Sequence, residues 1–71
     1  MPKVAVNDTT WTEVLDGAGF CWSAANMQYS FTGDETETLR IDGGNQINSI
    51  AGKILYAKSF SKFGEVISVA E

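Results

Sequence analysis

Histidine is absent from the 71-residue sequence, and Cys21 is its one cysteine. A lone cysteine excludes a disulfide within the chain, and a zinc site would lack its usual Cys and His ligands. Nucleophilic catalysis by serine or cysteine would also lack its customary histidine base. Cys21 lies between Phe20 and Trp22, and we interpret it as a small apolar residue. The sequence therefore predicts no metal, no cofactor and no enzymatic activity.

Positive charge is also scarce, because five Lys and Arg stand against nine Asp and Glu, for a formal net charge of −4. Nucleic-acid binding depends on clustered basic residues that neutralise phosphates. Long apolar runs that could cross a bilayer are missing, and residues 1–8 contain no hydrophobic segment of signal-peptide length. We expect a soluble protein made in a reducing cytoplasm, with neither nucleic acid nor membrane as its partner.

The chain is short for a core that supports itself. A domain of this size buries only about 60% of the surface that its unfolded chain exposes. Ordering costs about 1.5 kcal/mol per residue, so the gain and the cost of folding nearly cancel. Without a disulfide or a metal, the remaining means of stabilisation is a homo-oligomer or docking on a larger assembly.

Short apolar segments interrupted by Gly, Asn, Asp and Ser recur along the chain, a spacing typical of an all-β domain. Two segments with helix propensity, Thr10–Leu15 and Ser23–Tyr29, are too short to form stable helices before a glycine intervenes. The sequence predicts one domain, residues 1–71, folded as a small antiparallel β-sandwich or barrel of about six to eight short strands. The candidate strands are residues 3–6, 11–15, 20–24, 27–32, 39–41, 47–50, 53–59 and 65–70.

Turn signals separate these strands. Asn7 and Asp8 are predicted to turn the chain after the first strand. Asp42–Asn45, with the sequence Asp-Gly-Gly-Asn, is the strongest hairpin signal, because Gly and Asn tolerate the positive φ that such turns need. Asp34–Glu37 carries three carboxylates in four residues, a density that could gather a calcium ion, but the spacing matches no calcium loop. We interpret it as a solvated, charged loop.

Two strands carry bulky apolar residues on both faces, at Ile54-Leu55 and at Val66-Ile67. A half-buried strand in a monomer needs only one apolar face. The second face is covered either by a neighbouring subunit or by the second sheet of a sandwich, with these strands central. All four residues are therefore candidates for partner binding.

Eight aromatic residues are spread along the chain, and most are expected in the core because each buries a large area. Phe60 and Phe63 differ, because the sequence around them, Ser59–Gly64, is otherwise typical of a loop. Apolar rings on a loop suggest an anchor for a partner surface. The alternative is a loop folded back to cap the end of the sandwich. The candidate partner-binding residues are thus Phe60, Phe63, Ile54, Leu55, Val66 and Ile67.

The opening Val4–Val14 and the closing segments Gly52–Ser59 and Gly64–Glu71, with short strands and Gly-rich turns between them, resemble small structural proteins of tailed bacteriophages. The likeness is to head-decoration (cement) and head-fibre proteins, and it spans most of the chain. It implies a β-sandwich or barrel, often a homotrimer, located on the virion. Its partner would be the major capsid protein or another virion protein.

Three functional hypotheses follow. The first is a capsid decoration protein that oligomerises and binds the capsid surface to stabilise it. The second is a receptor- or carbohydrate-binding module of a phage tail fibre, which would use Trp22, Tyr29 or the loop at Phe60. The third is a small regulator that inhibits a host protein through its acidic face.

Overall fold

The computed structural model of the chain describes residues 3–71. Within that range the only helical element is one 3₁₀ helix of three residues, and the remaining elements are strands. In chain order they are β1 (Lys3–Val6), β2 (Thr12–Asp16), β3 (Gly19–Trp22), β4 (Met27–Ser30), the 3₁₀ helix (Glu35–Glu37), β5 (Leu39–Ile41), β6 (Gln46–Ser49), β7 (Ile54–Ser59) and β8 (Gly64–Ala70).

The strands form two four-stranded sheets. Sheet A has the order β1-β8-β3-β6, and sheet B has the order β2-β7-β4-β5. All pairings among these strands are antiparallel. The sheets enclose one core between them. The predicted all-β fold, a small antiparallel sandwich, is confirmed.

The chain changes sheet at each connection between consecutive strands except β4 to β5. The turn predicted at Asp42–Asn45 does form, with the amide of Asn45 donating to the carbonyl of Asp42 at 3.3 Å. The prediction of a hairpin around this turn is wrong, because β5 pairs with β4 whereas β6 pairs with β3. The turn instead docks on the loop after β3, where the amide of Gly44 donates to the carbonyl of Ser23 at 2.8 Å.

The core is built mainly from aliphatic residues. Tyr29 is the one aromatic side chain in the buried cluster of the described residues. The expectation that most aromatics form the core is therefore wrong. In β3 the inward positions belong to Cys21 and Gly19, which are buried, so Phe20 and Trp22 point outward and are only half-buried. The buried cluster comprises Val6, Val14, Leu15, Cys21, Met27, Tyr29, Leu55, Ala57 and Val66.

The strands with two apolar faces occupy inner positions of the sandwich, β7 in sheet B and β8 in sheet A. Leu55 and Val66 have no exposed surface and belong to the core. The facing sheet therefore explains one apolar face of each strand, and these two residues are corrected from candidate partner contacts to core residues. Ile54 and Ile67 lie at the alternate positions and are half-buried.

Candidate interaction surfaces

Phe60 and Phe63 lie in the loop that leads from β7 to β8, residues 60–63. Phe60 is 51% exposed and Phe63 is 70% exposed. Rings with this much exposed surface contribute little to the core, so the geometry favours an anchor over a cap on the end of the sandwich. Their role in partner binding stays a prediction.

Residues 60–63, which we call the aromatic loop, are ordered by hydrogen bonds. The amide of Ser59 donates to the carbonyl of Asn7 at 2.9 Å, which ties the start of the loop to the end of β1. The hydroxyl of Ser59 donates to the carbonyl of Ser61, and the hydroxyl of Ser61 donates to the carbonyl of Phe63 at 2.9 Å. A loop that is already ordered loses less conformational entropy when it binds.

Positive charge accompanies the aromatic loop in a chain that is acidic overall. The Arg40 guanidinium carbon is 5.2 Å from the centroid of the Phe60 ring, a cation–π distance. Lys62 is exposed within the loop itself. Arg40 is partly neutralised, because its Nε lies 3.7 Å from Oδ1 of Asp42. A partner surface with an acidic margin would complement this loop.

A second apolar surface lies on the outer side of sheet A. Phe20 pairs with Val69 and Trp22 pairs with Ile67 across β3 and β8, so these four outward side chains are neighbours. All four are half-buried. We call the outer side of sheet A, with these four residues as its apolar centre, the sheet A outer face. Sequence reasoning identified only Ile67, because alternation along β3 does not reveal which of its two sets of residues faces inward.

Polar residues border the apolar centre of the sheet A outer face on both sides. On β1, Lys3 pairs with Ile67, and on β8 Glu65 pairs with Ala5; both charged residues are exposed. On β6 the border is amide-rich, with Nε2 of Gln46 donating to Oδ1 of Asn48 at 3.2 Å. An apolar centre with a polar rim is the usual arrangement of protein–protein interfaces.

The outer side of sheet B is different, because the chain itself covers part of it. Lys58 lies on β7 next to the outward position of Gln28 on β4, yet it is only 7% exposed. The ring of Trp11 lies over its ammonium group, and Glu35 of the 3₁₀ helix forms an ion pair with it. Sequence reasoning missed this arrangement because a strand lysine ordinarily points into solvent.

Two shallow hollows open on the surface. One, of about 150 Å³, lies beside Trp22 between Lys3 and Glu65. The other, of about 210 Å³, lies between Phe31 and Ile50, and Ile50 is 63% exposed. Both are smaller than the roughly 300–1,000 Å³ of usual small-molecule sites. They fit a side chain or a single sugar ring better than a cofactor.

Two features of the titratable groups in residues 3–71 bear on metal binding and on thiol reactivity. No cluster of three or more His, Cys, Asp or Glu side chains there could hold a metal ion. Burial raises the pKa of the Cys21 thiol to about 11, which disfavours the reactive thiolate. In residues 34–37, which we call the acidic loop, the amide of Thr36 donates to Oδ1 of Asp34 at 3.0 Å. This hydrogen bond lowers the pKa of that exposed carboxyl.

No helix in the described part of the chain is long and apolar enough to span a membrane. Comparisons with protein families, with curated proteins and with solved structures find no match to this chain.

Proposed function

We propose that this chain is a virion structural protein of the capsid-decoration type, which self-associates and binds the capsid surface to stabilise it. The observation that carries the proposal is the pair of exposed rings, Phe60 and Phe63, on an ordered loop of a small two-sheet body. The resemblance of residues 4–14, 52–59 and 64–71 to phage head-decoration proteins supports the same function. The proposed role is binding without catalysis.

The repeated binding sites of a capsid support this function, because they would add to the affinity of each copy. Interfaces draw most of their affinity from a few large side chains that enter pockets on the partner, and aromatic residues are prominent among them. Two such rings would give only a modest affinity per copy. A capsid offers the same site many times, so a decoration protein that self-associates would gain avidity from simultaneous attachment. Binding that favours the assembled shell would then stabilise it by mass action.

Co-sedimentation with undecorated capsids tests the proposal. The capsids would be assembled from a phage major capsid protein without its decoration protein. We expect the wild-type chain to pellet with them, and Phe60→Ser with Phe63→Ser to weaken binding at least about tenfold. The melting temperature of that variant should stay close to that of the wild type, because both rings are mostly exposed.

Ile50→Ser is the matched control, since Ile50 is an exposed apolar residue outside the aromatic loop. It should pellet as well as the wild type. A wild-type chain that stays in the supernatant would overturn the decoration proposal. A double Phe variant that loses much of its stability would show that the loop caps the core.

A second candidate function, a carbohydrate-binding module of a tail fibre, is favoured by one observation. The hollow beside Trp22 places an aromatic ring next to Lys3 and Glu65, and this combination suits a sugar ring. Tyr29 is removed from this hypothesis because it is fully buried. A glycan array with wild type and Trp22→Ala tests it: sugar binding that Trp22→Ala abolishes supports this function, and an array without signal rejects it.

A further inference from the structure

We infer that the sheet A outer face is a homodimer interface, which packs against the same face of a second copy of this chain. The inference depends on the proposed function only for the expectation that the chain self-associates. It uses a surface different from the aromatic loop proposed to bind the capsid, so the two can fail separately.

The apolar centre of this face lies outside the core of the monomer. Phe20 and Val69 pair across β3 and β8, as do Trp22 and Ile67, and all four side chains point away from the core. On sheet B the corresponding outer side contains Lys58 beneath Trp11. Sheet A therefore lacks the covering that the chain supplies to sheet B in the described residues.

The charges on this face are complementary to themselves. Lys3 and Glu65 both line the hollow beside Trp22 and both are exposed. Neither forms an ion pair within residues 3–71. In a twofold-symmetric dimer, if residue i of the first copy contacts residue j of the second, then residue j of the first copy contacts residue i of the second. One unpaired lysine and one unpaired glutamate on the same face can therefore pair reciprocally, with two ion pairs per dimer.

The size of the face limits the area that the contact can bury. Four strands at about 4.8 Å spacing and the seven residues of β8 at about 3.3 Å each give a face of roughly 19 by 23 Å. Two such faces cover roughly 900 Å² in projection, at the low end of specific interfaces. We expect a weak dimer with a dissociation constant in the micromolar range. A dimer of this kind would place two aromatic loops in one particle, so that both could attach to a lattice together.

A dimer differs from the trimer that the phage resemblance implies. A contact in which the same patch is used by both copies closes with two members, whereas a trimer needs two different patches on each chain. Sedimentation velocity over a range of concentrations therefore tests the inference directly. We expect a 7.7 kDa species at low concentration and twice that mass at high concentration.

Substitution on the two sheets tests the surface. Ile67→Lys should raise the dissociation constant of the dimer at least tenfold, because it places a charge in the apolar centre. Tyr56→Lys is the matched control, since Tyr56 is also outward and half-buried on an inner strand, but of sheet B. It should dimerise like the wild type. Equal loss of dimer in both variants would overturn the inference.

Charge reversal tests the twofold pairing. Lys3→Glu alone and Glu65→Lys alone should each weaken the dimer several-fold, because each chain then carries two like charges on this face. An equimolar mixture of the two variants should recover wild-type dimerisation, because each mixed dimer restores both ion pairs. No rearrangement within one chain can give that result.

Three further outcomes would overturn the inference: a wild-type chain that remains a monomer at all concentrations, a trimer, or a mixture of the charge variants that associates no better than either alone. Capsid binding by the same samples reports on the proposed function independently. A chain that dimerises but does not pellet with capsids would keep this inference and reject that function.

Discussion

Lys58 lies beneath the indole ring of Trp11, with its Nζ 5.1 Å from the centre of the ring. The lysine is on the outward side of sheet B but is only 7% exposed, and Glu35 approaches from the 3₁₀ helix to pair with it. The ring of Trp11 and the carboxylate of Glu35 both offset the cost of covering this charge, so neither partner alone carries the whole effect. The three residues join the start of β2, the acidic loop and β7 into one outer layer.

Lys58→Ala should lower the free energy of unfolding by about 2 kcal/mol, since it removes the cation under Trp11 and the packing of the lysine stem. Lys53→Ala is the control, because Lys53 is exposed, and its effect should stay within about 0.5 kcal/mol. Glu35→Gln should cost less than about 1 kcal/mol, because the Glu35 side chain is 69% exposed. Denaturant titrations measure all three. Equal effects of Lys58→Ala and Lys53→Ala would contradict this account.

Tyr29→Phe should leave the free energy of unfolding unchanged or raise it by up to about 1 kcal/mol. The hydroxyl of Tyr29 is buried and has no hydrogen-bond partner among residues 3–71, so its removal relieves a desolvation cost. Tyr56→Phe is the control, because Tyr56 is half-buried, and it should have little effect. A loss of more than about 1 kcal/mol in Tyr29→Phe would show that the hydroxyl is satisfied.

Alkaline pH should lower the stability of the protein. Burial raises the pKa of Cys21 to about 11 and, together with the neighbouring Cys21, raises the pKa of Tyr29 to about 12. Both groups are neutral when protonated, so above about pH 9 the folded chain holds protons that the unfolded chain has lost, and stability falls as the pH rises. Each shift corresponds to about 3 kcal/mol. Stability measured at intervals from pH 8 to pH 12 should decline.

The double variant Cys21→Ala with Tyr29→Phe is the control for this pH dependence. It lacks both buried acids, so its free energy of unfolding should decline much less between about pH 9 and pH 12. An equally steep decline in the variant would assign the effect to other groups.

Sequence pattern predicts the strands of this fold better than it predicts how they are paired. The predicted bounds of β1, β7 and β8 agree with the structure to within one residue, because these runs combine β-branched residues with clear turn signals. Strand pairing is decided by contacts between distant segments. β1 pairs with β8 at the other end of the chain, and no local pattern specifies that partner.

The two candidate surfaces also differ in how far the sequence could predict them. The loop position of Phe60 and Phe63 could be predicted, but the sequence left an exposed anchor and a cap on the end of the sandwich equally open; the structure leaves both rings mostly exposed. The outward direction of Phe20 and Trp22 could not, because alternation in β3 is equally clear for either face. The register of β3 against β8 and β6 settles the direction and places Cys21 in the core.

The two glycines of the turn at Asp42–Asn45 are needed for different reasons, and this difference gives a last prediction. A Cβ on Gly43 would lie 2.3 Å from the carbonyl oxygen of Ala24, so any side chain there forces the turn away from the loop after β3. Gly44 has open space around it but a φ of +88°, which Asn tolerates better than most residues. The crossover between the sheets thus depends on Gly43 for space and on Gly44 for backbone conformation.

Gly43→Ala should therefore lower the free energy of unfolding by about 2 kcal/mol or more, as overpacking against backbone usually does. Gly44→Asn should cost less than about 1 kcal/mol, and it serves as the control for substitution in the same turn. Thermal and denaturant unfolding of both variants measure the difference. If the turn closed an ordinary β5–β6 hairpin, it would not press on Ala24, and the two substitutions would cost similar amounts. A clearly larger loss for Gly43→Ala is what the crossover between sheets requires.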